Sequence, residues 1–374
     1  MIRMHEKILL IQLFSNGDCL YATAVARQVK QDYPNCYLIW MVSDSCNRIL
    51  FNNPFIDELI VITGINYLNW EEKWSGFKKQ LRNTMVERQI TKSFFTQIIG
   101  DNFANYDYCI RSTIFRGYDK PVTVPIRPVL RLTDLEKRNV EDFVNFHQLP
   151  TYSLVILFEF APRSGQAKFT LSKAMEIAQL VTQSDAGIAI VMSSNINLGD
   201  INKRIIDGSI LSLRETAQLS HHCGLLVGSS SGITWVTTSD AGKELPMVQI
   251  LDQNAYWLNS VSNDRKRFGK NTDDIIELTD DMVDHLVFCI RSIREDGFVK
   301  ARIKYHQEIP QSFRVSRGLI FYLLRKRNFR GVVRHIRINI GLFGWNSKLI
   351  LSIFLGIFTF PVMLLKKSIK IGTK

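Results

Sequence analysis

Short, nearly unbroken apolar runs alternate with amphipathic stretches along most of this chain. Lys7–Leu13 (KILLIQL) is the first run, followed by the turn cluster Phe14-Ser15-Asn16-Gly17-Asp18 and by helical periodicity over Cys19–Asp32. Further runs fall at Cys36–Val42, at Glu58–Thr63 after Asn53-Pro54, and at Lys92–Ile99. Apolar runs this short read as strands of a parallel sheet, buried on both faces. Helical patterns cover about Glu71–Gln89, and Asp101–Phe115 reads as a helix or mixed element. Pro121, Pro125 and Pro128 punctuate an extended crossing.

A second series follows a linker helix over Thr133–Phe146. Strands are predicted at Tyr152–Phe158, Gly187–Met192, Gly224–Val227 and Pro246–Leu251. Between and after them, helices are predicted at Ser172–Ser184, Leu213–His221, Ile233–Ala241 and Asp280–Arg294. Ser212 with Glu215 three residues on predicts a capping box, and Thr279 an N-cap. Strands alternating with helices imply βαβ units. The expected fold class is α/β, with two Rossmann-like domains, 1–147 and 148–298, facing a cleft.

The tail, 299–374, differs in kind. The formal net charge of the chain is +12. From Lys300 onward there are 16 Lys/Arg and one acid, Glu308, a net +15, while the first 299 residues carry 31 Lys/Arg against 34 Asp/Glu, a net −3. A nucleic-acid binder would carry its basic face on the folded body, so no nucleic-acid partner is expected. Ser316–Ile340 has the pattern of a basic amphipathic helix, and Leu349–Leu365 is an uncharged run of 17 residues containing Pro361. A spanning helix wants about 20 apolar residues, so insertion into an anionic membrane surface is expected at least as much as crossing. A helix docked on the folded body is the competing reading.

Six cysteines, none in a CxxC pair, read as buried reduced thiols, which suits the cytoplasm. The apolar run at the N-terminus is too short for a signal peptide. With the tail, this places the chain at the cytoplasmic face of a bacterial inner membrane, peripheral or anchored through its C-terminus.

Three places carry candidate chemistry. Asp18 follows a buried strand, and in open α/β sheets ligands bind beyond the carboxyl ends of strands. A carboxylate there suits a general base, although Asp is also a favoured N-cap. Ser15, Asn16 and Gly17 form the loop beside it. Ser229, Ser230, Ser231 and Gly232 form a strand-to-helix turn whose amides suit a diphosphate; an ordinary capped loop is the alternative. Arg163–Lys168 (RSGQAK), with Ser164 and Lys168, suits phosphate contact after another strand end, or a solvated loop. No HExxH, HxH or Asp-x-Asp pair is present, so no metal site is expected.

Residues 5–295 resemble the heptosyltransferase family of glycosyltransferases, family nine, which has the GT-B fold. The resemblance lies in the opening strand, the small-residue turn ending in Gly17-Asp18, the strand after Tyr33-Pro34, and Asn53-Pro54-Phe55-Ile56-Asp57. It continues in Ser212-Leu213-Arg214-Glu215-Thr216-Ala217, the following strand and the Ser231-Gly232 turn. It does not cover the tail. It implies an inverting, metal-independent transferase without cofactor, taking a sugar from a nucleotide-diphosphate donor on the second domain to a lipid-linked glycan on the first. Asp18 falls on the family's catalytic base and Lys168 near its donor-phosphate lysine. Where the family shows Asp-Ser-Gly-x-Met-His, this chain reads Ser230-Ser231-Gly232-Ile233-Thr234-Trp235, which leaves the donor sugar open. The other function class that fits is a catalytically inactive sugar-nucleotide-binding or assembly protein at the membrane.

Overall fold

The computed structural model describes residues 6–160, 169–199, 201–252 and 260–371. The first half runs β1 (Lys7–Ile11), α1 (Asn16–Asp32), β2 (Tyr37–Ser43), β3 (Glu58–Ile62), α2 (Trp70–Glu87), β4 (Lys92–Phe95) and α3 (Ile110–Phe115). Its strands form a parallel sheet in the order β3-β2-β1-β4. An extended segment then leads to α4 (Asp134–Phe146), whose first turn is closed by a capping box between Thr133 and Glu136.

The second half runs β5 (Leu154–Glu159), α5 (Leu171–Ser184), β6 (Ile188–Ser193), β7 (Ile205–Asp207), α6 (Leu213–Leu219), β8 (Leu225–Gly228), α7 (Gly232–Thr237), β9 (Met247–Ile250), α8 (Val261–Arg267), β10 (Ile275–Leu278), α9 (Val283–Asp296) and α10 (Phe298–Tyr305). These six strands are also all parallel, in the order β10-β9-β8-β5-β6-β7. Both sheets reverse their strand order beside their first strand, between β1 and β4 and between β5 and β8. In α/β sheets, ligands bind outside the carboxyl ends of the strands at such reversals.

The period of two along each strand divides the core. In β5, Val155 and Leu157 face a core shared with the first half, while Ile156 and Phe158 face a second core under α5 and α9. The same alternation holds in β6, where Ala189 and Val191 oppose Ile190 and Met192. The shared core also takes in Ile8 and Leu10 of β1 and Trp235 of α7.

Arginines stitch the halves together around this core. Arg214 of α6 pairs with Glu136 (Nε to Oε1, 2.5 Å) and donates to the carbonyls of Arg48 (3.2 Å), Phe51 (3.1 Å) and Arg131. Arg127 donates to the carbonyls of Ser239 (3.1 Å) and Gly242 (3.0 Å). Arg111 of α3 meets Asp264 of α8 at 2.9 Å in a buried pair. Among the described residues a carbonyl or a carboxylate takes each of these donated bonds, which is what lets the charges sit so deep.

The tail forms α11 (Arg314–Arg325), α12 (Phe329–Phe343) and α13 (Ser347–Ile371). The single amphipathic helix expected over Ser316–Ile340 is thus two, broken at Arg327, where φ is 58°. α11 is part of the body: Val315, Leu319, Ile320 and Leu323 lie in the shared core. A buried polar chain locks it there, from Tyr108 Oη to Ser316 Oγ to His335 Nε2 (2.7 Å), with Asn339 donating to the Tyr106 carbonyl (2.9 Å). Among the described residues no helix is long and apolar enough to cross a membrane. The outer side of α12 and α13 nevertheless exposes Phe329, Val333, Leu351, Phe354 and Phe358, with Trp345 81% exposed at the corner between the two helices.

Candidate active site where two strand-end turns meet

β1 stops at Ile11, and the next three residues stay buried. Gln97, just past β4, holds them: its Oε1 accepts from Gln12 Nε2 (2.9 Å) and from the amides of Leu13 (2.8 Å) and Phe14 (2.9 Å). Trp40 Nε1 donates to the Gln12 carbonyl (3.1 Å). Ser15 then reverses the chain with φ 70°, a left-handed conformation that costs a non-glycine residue about 1–2 kcal/mol. α1 begins at Asn16, three residues earlier than the periodicity predicts, and Asp18 stands in its first turn.

The N-cap position belongs to Ser15, and no side chain caps this helix end. Asp18 is therefore not the capping group that its residue type would suggest. Asp18 is partly exposed as a residue, and its carboxyl accepts no hydrogen bond from the described residues. Desolvation by the packed protein around it, and secondarily the Cys46 sulfur, push it up to about 7. Cys46 is moved the opposite way, down to about 7. The hydrogen bond from the Cys19 thiol is the main cause, outweighing burial and helped by the Ser45 and Ser43 hydroxyls and the Ser15 amide. Cys19 is pushed up by burial and keeps its proton. A carboxyl held above its usual range and a thiol held below its own thus share one end of β1 and β2.

The second turn leaves β8 at Gly228. Ser229 and Ser230 are buried, with Ser230 at φ 55°, and their amides turn inward. Ser229 N–H donates to Glu159 Oε2 (3.5 Å) and Ser230 N–H to Gln249 Oε1. Ser231, Gly232 and Ile233, at the start of α7, are the partly exposed part of the turn. The first amides of a helix have no intrahelical carbonyl, so a ligand can take them. Ser231 and Gly232 are thus the partly exposed face of the turn, and the buried Ser229 and Ser230 lie beneath it.

The two turns touch. A β-carbon on Gly17 would lie 3.0 Å from Trp235 Cδ1, and one on Gly232 would lie 3.9 Å from Asn16 Cβ. The indole of Trp235 also packs on Tyr21 (4.8 Å between ring centroids) and donates from Nε1 to the Ser230 carbonyl (3.3 Å). Asp18, Asn16, Gly17, Ser231 and Gly232 are therefore neighbours at one place between the halves. Ser164, Lys168 and the rest of Arg163–Lys168 lie outside the described residues.

Sequence reasoning missed Glu159, Gln97, Gln249 and Cys46. Glu159 had a readable signal, an acid closing an otherwise apolar strand at its carboxyl end. Gln97 and Gln249 had none, because what they hold is set by partners distant in sequence.

No family model matches the sequence, and no curated protein matches it. Solved structures do. A glycosyl transferase of family 9 from Veillonella parvula superposes with a TM-score of 0.51, covering 79% of this chain and 91% of that one at 13% identity. The chain has the fold of a family 9 glycosyl transferase. Two structures from E. coli are also similar. ADP-heptose LPS heptosyltransferase II matches over 67% of this chain and 86% of that one, at 17% identity with a TM-score of 0.46. Heptosyltransferase WaaC, solved with ADP-2-deoxy-2-fluoro heptose, matches over 78% and 99%, at 11% identity with a TM-score of 0.43. The α/β architecture of two Rossmann-like halves expected from the sequence is the one observed.

Proposed function

We propose that this chain transfers a sugar from a nucleotide-diphosphate sugar to a hydroxyl of a lipopolysaccharide or other lipid-linked surface glycan, with inversion and without a metal. The observation that carries the reading is Asp18: an uncapped carboxyl beyond the end of β1, raised to about 7, beside the Ser231-Gly232 turn. Near neutral pH it can take the acceptor's proton as the acceptor oxygen attacks the anomeric carbon. The bond from that carbon to the diphosphate breaks, and the nucleoside diphosphate leaves with the electron pair. Charge building on it is met by the Ser231 and Gly232 amides; Lys168 shares that role by its resemblance to the family's lysine. One displacement at the anomeric carbon inverts its configuration. The sugar is a heptose or another hexose-type unit.

The membrane part of the reading rests on the tail. Trp345, Leu351, Phe354 and Phe358 are exposed on this tail, and so are Lys348, Arg334 and Arg337. Aromatic side chains with neighbouring cations suit an anionic bilayer surface. The corresponding location is the cytoplasmic face of a bacterial inner membrane.

The test is release of nucleoside diphosphate from a panel of ADP-, UDP- and GDP-sugars in the presence of lipid-linked glycan acceptor. Asp18→Asn is expected to abolish transfer while leaving donor binding intact. Transfer by this variant at the wild-type rate would end the base assignment.

A further inference from the structure

A buried carboxyl lies directly under the donor turn. Glu159 ends β5, at the point where the strand order of the second sheet reverses, and is 4% exposed. Its Oε2 would sit 3.0 Å from a β-carbon on Gly228, so β8 passes close against this carboxyl. The same oxygen accepts the Ser229 amide at 3.5 Å. Beside it, Gln249 Oε1 accepts the Ser230 amide and the Thr234 hydroxyl (3.4 Å). Three polar atoms of this cluster, Ser229 Oγ, Ser230 Oγ and Gln249 Nε2, are buried and have no partner. Buried hydrogen-bonding capacity of this kind is costly unless something completes it.

We propose that Glu159 is a positioning residue for the diphosphate of the donor: protonated, it supports the Ser229–Gly232 turn under a bound anion, and ionised, it weakens the binding. The inference rests on the reading of this turn as the donor site. Among the described residues, Glu159 accepts the Ser229 amide, lies against Gly228 of β8 and pairs in the sheet with Ser193 of β6, while Thr234 of α7 and Gln249 of β9 lie around the same glycine; all are uncharged. None of these groups offsets a carboxylate placed behind a bound diphosphate. A neutral carboxyl removes that repulsion and brings a hydrogen-bond donor to a cluster with unpartnered hydroxyls. Burial supports this by pushing Glu159 up to about 7, which puts the change in the physiological range.

The experiment uses Asp18→Asn as the parent, so that Asp18 neither titrates nor turns over the ligand. ADP-glucose, UDP-glucose and GDP-glucose are the probes, because their diphosphate is a diester that does not titrate near neutrality. Binding is measured by calorimetry at pH 6 and pH 8, in two buffers of different protonation heat, for D18N and for D18N/E159Q. The parent is expected to bind about tenfold more weakly at pH 8, from the fraction of Glu159 still protonated, and to take up a proton on binding. The Gln variant, which mimics the neutral acid, is expected to bind alike at both pH values with no uptake. Identical pH responses in the two proteins would overturn the inference. Failure of all three probes to bind either protein at either pH would overturn the donor-site reading and the inference with it.

Discussion

Gly17 lies against the indole of Trp235, with 3.0 Å between the place of a missing β-carbon and Trp235 Cδ1. One residue belongs to the turn that presents Asp18 and the other to the helix that follows the serine turn. Their contact sets the spacing between the proposed base and the proposed donor face.

Gly17→Ala is therefore expected to push the halves apart locally, at a cost of about 1–3 kcal/mol, as overpacked interiors typically show. Thermal denaturation checks this. In a Trp235→Ala background the same substitution is expected to cost less than about 0.5 kcal/mol. An unchanged cost there would place the strain elsewhere.

Asp18 must be ionised to accept a proton, so kcat/KM is expected to fall as pH drops through about 7. Its folded value lies above its unfolded one. The stabilisation from the neutral carboxyl is thus full below the ordinary Asp range and is lost as pH rises through about 7. Above that pH, Asp18→Asn is expected to melt higher than wild type. Cys46→Ala, by removing the sulfur that helps raise Asp18, is expected to move the acid limb of the rate profile to lower pH. A limb that stays in place would dismiss that coupling.

Arg214→Met should be among the most damaging single changes. It leaves Glu136 without its cation and three carbonyls without a donor. Breaking a buried pair from one side costs roughly 3–5 kcal/mol. Denaturant unfolding measures the loss, and a change below 1 kcal/mol would show the pair to be a surface decoration.

The tail divides into a part that folds the protein and a part that faces outward. Truncation before α11 removes seven core side chains, Val315, Leu319, Ile320, Leu323, Val332, Leu349 and Ile353, worth about 1.5–3 kcal/mol each, comparable with or above the whole stability of a typical protein. That truncation is expected to yield insoluble protein. Trp345→Ser with Phe354→Ser and Phe358→Ser is expected to keep the melting temperature and lose flotation with vesicles rich in phosphatidylglycerol. Flotation equal to wild type would refute the membrane face.

Much of the architecture was legible because parallel strands are continuous apolar runs. KILLI at β1 and LVILFE at β5 differ from everything around them. The capping box of Ser212 and Glu215 also forms as its spacing predicts. Two strands escaped. β7 has three residues, and β10 follows Asp273 and Asp274, so neither offers a period to read. Thr279 does not cap α9; the N-cap is Met282, with no side-chain bond. α11 was expected at a membrane because basic and apolar residues coincide in the tail, and it carries Arg314, Arg317 and Arg325. They lie on its outer side, while Ser316 on the inner side finds His335 and Tyr108, partners no local pattern reveals. At the site, Asp18 was readable from its place after a strand. The inward commitment of the Ser229 and Ser230 amides was not, because Glu159 and Gln249 reach them from other strands.

The core that joins the first sheet, one face of the second sheet and α11 has a thermodynamic consequence. Two-sheet chains commonly have a seam, with each unit unfolding on its own. Here the apolar interior has no seam between the halves, since Leu10, Leu157, Trp235 and Leu323 all belong to it. Loosening any of the three parts therefore withdraws support from the others, and the three are expected to unfold together rather than one by one.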